Sequence, residues 1–246
     1  MAPTPGYNHF MPIHDWTRAP LGVYHDFHLA WVVELQKALN RLLPSDRYAM
    51  IEYAEPDRAS EIKFGEGTNL DADEETILGE IRNRVAVRRT DGDGLVAVLE
   101  IVPAAAKLNR AVAEGFASQM AAIIRQGISL LLIDILPPTA VVPHGIHDLI
   151  ASRFGLPFDL PAEAPLAVSA FVTNFALTDE LEFRLESTAL GRELVDMPLF
   201  LDPIHAVHVP LEETYTAAYE GVADRWRRVI EKADPVVRSA GPSERS

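Results

Sequence analysis

Apolar residues recur every three or four positions through residues 25 to 43, where Phe27, Trp31, Leu35, Ala38 and Leu42 share one side of a helix that must stop before Pro44. YAMIEY, residues 48 to 53, predicts a strand, and the acidic, glycine-bearing stretch from 64 to 80 predicts a loop. RVAVRR (84 to 89) and LVAVLEIV (95 to 102) then flank TDGDG. Two Asp-Gly pairs between β-branched runs predict a hairpin. Pro103 ends its second strand, and KLNRAVAEGFASQMAAIIRQG (107 to 127) predicts one helix with Leu108, Val112, Phe116, Met120 and Ile123 inward and Gly127 as terminator. ISLLLIDIL (128 to 136) is apolar almost throughout, as a parallel strand covered on both faces should be. Residues 95 to 136 thus read as a strand, helix, strand unit whose two strands lie side by side after a right-handed crossover.

Beyond residue 144, HGIHDLIASRF predicts a short helix, and a proline-rich bridge (155 to 165) leads to the strand LAVSAFVT. LEFRLEST alternates Leu181, Phe183 and Leu185 with Glu182, Arg184 and Glu186, the period of a half-buried antiparallel strand. HAVHVP is extended up to Pro210. LEETYTAAYEGVADRWRRVIEKA then predicts a closing helix with Leu211, Tyr215, Ala218, Val222 and Val229 inward, flanked by Tyr219 and Trp226. These elements define an α+β class with an α/β-type core, a mixed β-sheet flanked by helices. The predicted organisation is a core over 11–154, a strand and helix extension over 155–234 packed on it or merged into one domain, and a tail over 235–246 with the composition of disorder.

Composition narrows the chemistry. At 246 residues and 48% hydrophobic content the chain can bury a full core. No run of about 18 apolar residues exists, and no basic start leads into an apolar block, so neither a membrane span nor a secretory signal is expected and the cytoplasm is the default location. The absence of cysteine excludes disulfides, thiolate metal sites and cysteine nucleophiles. A net charge of -14 works against nonspecific duplex binding, which needs Lys and Arg to neutralise phosphates. It leaves room for a local basic cleft.

Glu100 is the first residue that needs a chemical account. It shares a strand face with Val96, Val98 and Val102, where an unsatisfied carboxylate costs several kcal/mol. The residue must be protonated, paired, metal-bound or at a mouth open to water. Asp134 occupies the corresponding place on the next strand, and acids at the carboxyl ends of neighbouring parallel strands lie where α/β sheets bind ligands. Lys107 follows in what reads as the first turn of a helix, the wrong end of the helix dipole for a cation. The bland alternative is that backbone N–H groups, or arginines such as Arg84, Arg88 and Arg89, satisfy these acids. Three His-x-x-His pairs occur, His25/His28, His144/His147 and His205/His208, each without an evident third ligand. Core or capping roles account for most of them; His14, His25 and His28 are the ones to locate relative to the cleft. No Gly-x-Ser-x-Gly elbow and no phosphate-binding glycine loop is present.

The blocks MPIHDWTR, YHDFHLAWVVEL, RVAVRR with VAVLEIVPAAAK, GISLLLIDILPP, GIHDLI, DMPLFL and VPLEETYTAAYE, in order from Met11 to about Glu231, resemble the bacterial DUF4058 family, a domain of unknown function. The resemblance starts at Met11, which makes that methionine a candidate start. The core of that family is similar to the PD-(D/E)XK restriction-endonuclease-like superfamily, which sets an Asp on one strand and Glu-x-Lys on the next around Mg²⁺. Carried onto this chain, the resemblance implies Pro56-Asp57 as the first motif and Glu100 as the second, with Mg²⁺ held by Asp57 and Glu100; the strand-end reading adds Asp134 as a further candidate ligand. Val102 stands where the pattern has lysine, so Lys107 would be a migrated amine, and Pro103-Ala104-Ala105-Ala106 replaces a polar turn. Two expectations follow. One is a non-catalytic relative acting as a binding or oligomerisation module, for which a homo-oligomer is a candidate. The other is a Mg²⁺-dependent phosphodiesterase acting on nucleic acid through Asp57, Glu100 and Lys107.

Overall fold

The computed structural model describes residues 11–54, 82–173 and 181–232. After a 3-10 turn (Trp16–Arg18) come helix α1 (Leu21–Leu42) and strands β1 (Arg47–Ala54), β2 (Arg82–Arg89) and β3 (Leu95–Ile101). Helices α2 (Ala105–Leu108) and α3 (Arg110–Arg125) lead to β4 (Ser129–Asp134) and α4 (Gly145–Ser152). The chain continues through β5 (Leu166–Thr173), β6 (Leu181–Thr188), β7 (Met197–Phe200), β8 (Ala206–Val209), α5 (Leu211–Tyr219) and α6 (Asp224–Ile230). The class is α+β: strands β1 to β6 form one mixed sheet in sequential order, and β7 and β8 form a separate pair.

Only β3 and β4 run parallel, joined by the α2–α3 crossover; every other adjacent pair is antiparallel. The strand alternation sorts side chains into two apolar cores. Ala97, Leu99, Ile101, Leu131 and Ile133 face α1, the β7–β8 hairpin and α5. Val98, Val102, Leu130 and Leu132 face α3 and α4 with Phe116, Met120 and Ile146. With both faces covered, β4 is buried along its whole length, which is why its sequence shows no alternation. β5 pairs with β4, so the sheet runs on from the first 154 residues into the segment that follows.

Several predicted elements differ in detail. The helix predicted over 107–127 is two helices. Asn109 breaks it, leaving α-helical geometry and accepting from the backbone N–H groups of Ala111 and Val112 as the cap of α3. Leu108 consequently faces water, and Gly127 (φ +78°) ends α3 as expected. The closing helix also divides, at Glu220–Ala223, so Val229 is part-exposed whereas Tyr219 is buried. α1 begins four residues earlier than predicted; buried Leu39 completes its inner stripe, and Leu42, in the last turn, is 46% exposed. The β7 strand was not predicted: four residues interrupted by Pro198 are too short to show a period.

Candidate functional site

The C-terminal ends of β3 and β4 carry a buried polar centre on the face covered by α3 and α4. Parallel register sets Glu100 opposite Leu132, and Val102 N–H bonds to the Ile133 carbonyl. Glu100 and Asp134 are therefore diagonal neighbours on one face, as the strand, helix, strand reading predicts. Pro103 and the Ala104–Ala106 turn bring the chain over the strand ends, and α2 places Lys107 above Asp134. Lys107 Nζ lies 2.5 Å from Asp134 Oδ2, and each side chain is 4% exposed. Asp134 Oδ1 accepts from Leu136 N–H at 3.2 Å, so both carboxylate oxygens are engaged. Thr139 locks the arrangement by donating to the Lys107 carbonyl at 2.6 Å.

Lys107 is thus not the dipole-opposed cation its sequence position implied. It sits in a separate turn before the capped start of α3, and a buried carboxylate is its partner. Of the four states open to Glu100, a mouth open to water is not the one found: Glu100 is 1% exposed, and Lys107 and Asp134 are each 3% exposed. The arginine alternative meets a different acid. Arg84 Nη2 and Arg88 Nε donate to Glu52 at 3.3 and 2.6 Å, and Arg89 pairs with Asp91 at the hairpin turn. Arg84 does share a sheet face with Glu100, one step beyond the Val85–Leu99 pair. Asp57 lies outside the described residues.

Three further residues border the centre, and the sequence reading gave none of them a role in it. His147 on α4 brings Nδ1 within 2.7 Å of Ser169 Oγ on β5, the strand next to β4. Burial pushes the His147 imidazole down to about 4, opposed by the negative charge of Asp134 and reinforced by Lys107. Ser169 is fully buried, so its contact with His147 is a structural hydrogen bond rather than a nucleophile and its base. Tyr24 reaches from α1 on the other face and donates to the Val102 carbonyl at 3.2 Å. Burial, with the Asp134 charge behind it, raises the Tyr24 phenol well above its ordinary value. Their signal in sequence was weak: a serine within an apolar strand, and a histidine inside an amphipathic helix.

The remaining histidines disperse. His28 Nε2 lies 3.4 Å from the Ile101 carbonyl, at the end of β3 but on the α1 face, and burial lowers its pKa to about 4. His25 stacks beside it, ring centroids 6.5 Å apart. His144 is an exposed cap residue and does not share a helix face with buried His147. His205 and His208 are exposed on the β8 arm, with His205 against Asp202.

His14 belongs to a second polar site, where the N-terminal segment meets α5. Tyr215 Oη accepts from His14 N–H at 3.1 Å and Trp16 Nε1 at 3.2 Å, and lies 2.9 Å from His14 Nδ1. With two donors already received, the hydroxyl proton goes to Nδ1, which fixes His14 as the neutral tautomer protonated at Nε2. His14 also stacks on Tyr219 at 4.0 Å, and burial lowers its pKa against the pull of Glu231. Glu212 adds two acceptances, from Met11 N–H and Leu194 N–H, each at 3.0 Å.

Among the described residues no three His, Asp or Glu side chains converge as a metal-ligand group, and no helix is long and apolar enough to cross a membrane. A resident Mg²⁺ does not fit the described residues alone: Glu100 and Asp134 share a face, but the Asp134 carboxylate is already engaged by an amine and a backbone N–H. Comparison of the chain with protein-family models, with curated proteins and with solved structures finds no match in any of the three.

Proposed function

We propose that this chain is a non-catalytic relative of the PD-(D/E)XK nucleases, of the DUF4058 type, that works as a binding module. On this reading the acid and amine side chains inherited at the strand ends hold the sheet and its crossover together. One observation carries it: the amine a nuclease would aim at substrate is consumed by Asp134 in a pair shielded from water. The apolar Pro103–Ala106 turn supports the same reading, since it offers no polar side chain to a phosphate. A buried pair of this kind is costly to break, at roughly 3–5 kcal/mol when one partner is removed.

The competing reading is a Mg²⁺-dependent phosphodiesterase acting on nucleic acid. It is favoured by Glu100 and Asp134 lying as diagonal neighbours on one face of parallel strands. Titration calorimetry with Mn²⁺, alongside incubation with DNA and RNA, separates the two. The binding-module reading expects no heat beyond dilution, no cleavage, and an unchanged fold in Glu100→Gln. Metal uptake and strand cleavage that both vanish in Glu100→Gln would overturn it.

A further inference from the structure

The six-stranded sheet has two edges, and they differ in how their charges are satisfied. At the β1 edge, Glu52 is already held by Arg84 and Arg88 of the neighbouring strand. At the β6 edge, Glu182, Arg184 and Glu186 project from one face, all exposed, and β5 is the strand's one partner among the described residues. The Arg184 guanidinium lies 5.8 Å from the centre of the Phe200 ring, and among the described residues no carboxylate is paired with it. Edge strands are normally blunted by proline, by charged side chains (lysine above all), by a bulge or by shortness; the charges on β6 alternate in sign, which lets a second copy of the strand pair with them. Over its eight residues β6 contains neither proline nor lysine, and its register with β5 runs without interruption.

We infer that two copies of this chain join edge to edge through β6, antiparallel about a two-fold axis at Leu185, extending the sheet across the dimer. The alternation Glu-Phe-Arg-Leu-Glu selects that register. An axis at Leu185 sets Arg184 of each copy opposite Glu186 of the other, twice by symmetry, with Glu182 opposite Thr188. An axis at Arg184 would oppose Glu182 to Glu186, like charge to like. An axis at Phe183 would pair Glu182 with Arg184 but overlap only Leu181 to Leu185, leaving Glu186 outside the ladder. On the opposite face half-buried Leu185 meets its own copy, with Phe183 opposite Ser187, so the apolar contact centres on Leu185. The ladder's main-chain bonds would supply association, and the charges would supply register. The inference holds whether or not the buried centre turns over substrate, so its failure leaves that reading untouched.

The test uses the full chain in sedimentation velocity at micromolar concentrations. A dimer is expected, with a dissociation constant raised at least about tenfold by Arg184→Glu or by Glu186→Arg, each of which opposes like charges. The double exchange Arg184→Glu with Glu186→Arg restores the pairing and the dimer; an axis at Phe183 would not be rescued this way. Because the chain has no cysteine, Leu185→Cys introduces one thiol, expected to cross-link two copies under oxidation, whereas Phe183→Cys should not. A wild-type monomer at these concentrations overturns the inference. So does a dimer indifferent to both charge reversals with no cross-link through position 185.

Discussion

The two buried polar sites solve the same problem in opposite ways. At the ends of β3 and β4 a full positive charge meets a full negative one, Lys107 against Asp134, from positions 27 residues apart. Where the N-terminal segment meets α5, a neutral hydroxyl gathers the His14 and Trp16 N–H groups across 201 and 199 residues. The first site removes a charged pair from water and depends on mutual compensation; at the second the Tyr215 hydroxyl depends on having the right number of donors, and the carboxylate beside it, Glu212, takes backbone N–H groups rather than a cation. Charge pairing is thus used where the crossover already brings its partners together, and a shared hydroxyl where segments 201 and 199 residues apart are joined.

The sharpest way to break this contrast is to strand one charge. Lys107→Met leaves Asp134 buried with only a backbone partner and should cost roughly 3–5 kcal/mol in urea unfolding. Lys107→Met combined with Asp134→Leu should recover most of that, because no charge is then left behind. If the double variant is as unstable as the single one, the pair is not the compensated unit described.

Acidification comes next. The imidazoles of His147 and His28 have pKa values near 4 in the fold, against 6.5 for an ordinary histidine. The folded chain therefore binds fewer protons than the unfolded chain between those values. Their contribution is complete above pH 6.5, declines as pH falls, and is exhausted near pH 4, on the order of 3 kcal/mol per group. Unfolding followed from pH 7.5 to 4 should show this loss, and His147→Gln should reduce its slope. His14 adds in the same direction, because burial lowers its pKa against the opposing pull of Glu231.

Tyr215→Phe sharpens the other half of the contrast. It leaves the His14 and Trp16 N–H groups without their acceptor, and a loss of roughly 1–3 kcal/mol is expected. Nitrogen NMR of His14 should show the Nε2-protonated tautomer only while the hydroxyl is present. The smallest effect belongs to Arg88→Ala. Glu52 keeps Arg84, and the pair is partly solvated, so stability should change by less than about 1 kcal/mol.

Much of the fold was legible because it rests on local periods. The 84–102 hairpin, the alternation of 181–188 and the apolar run of β4 each declare themselves within ten residues, and the crossover follows from their order. The breaks at Asn109 and at Glu220–Ala223 were not legible: apolar spacing continues through both, and only the cap of α3 and the turn before α6 show that the axis changes. At the candidate centre, Glu100, Asp134 and Lys107 stood out as charges among apolar neighbours. His147, Ser169 and Tyr24 did not, since such residues occur in any amphipathic segment.

Alternation and turn chemistry along the chain determined the six strands of the main sheet, the parallel β3–β4 pair and which acids would be difficult to bury. Tertiary structure alone decided that Lys107 answers Asp134, that Arg84 and Arg88 go to Glu52, and that the centre is closed to water. The physical reason is range: a period of two or of 3.6 is fixed by neighbouring residues, whereas the partner of a buried charge is set by whichever element packs over it.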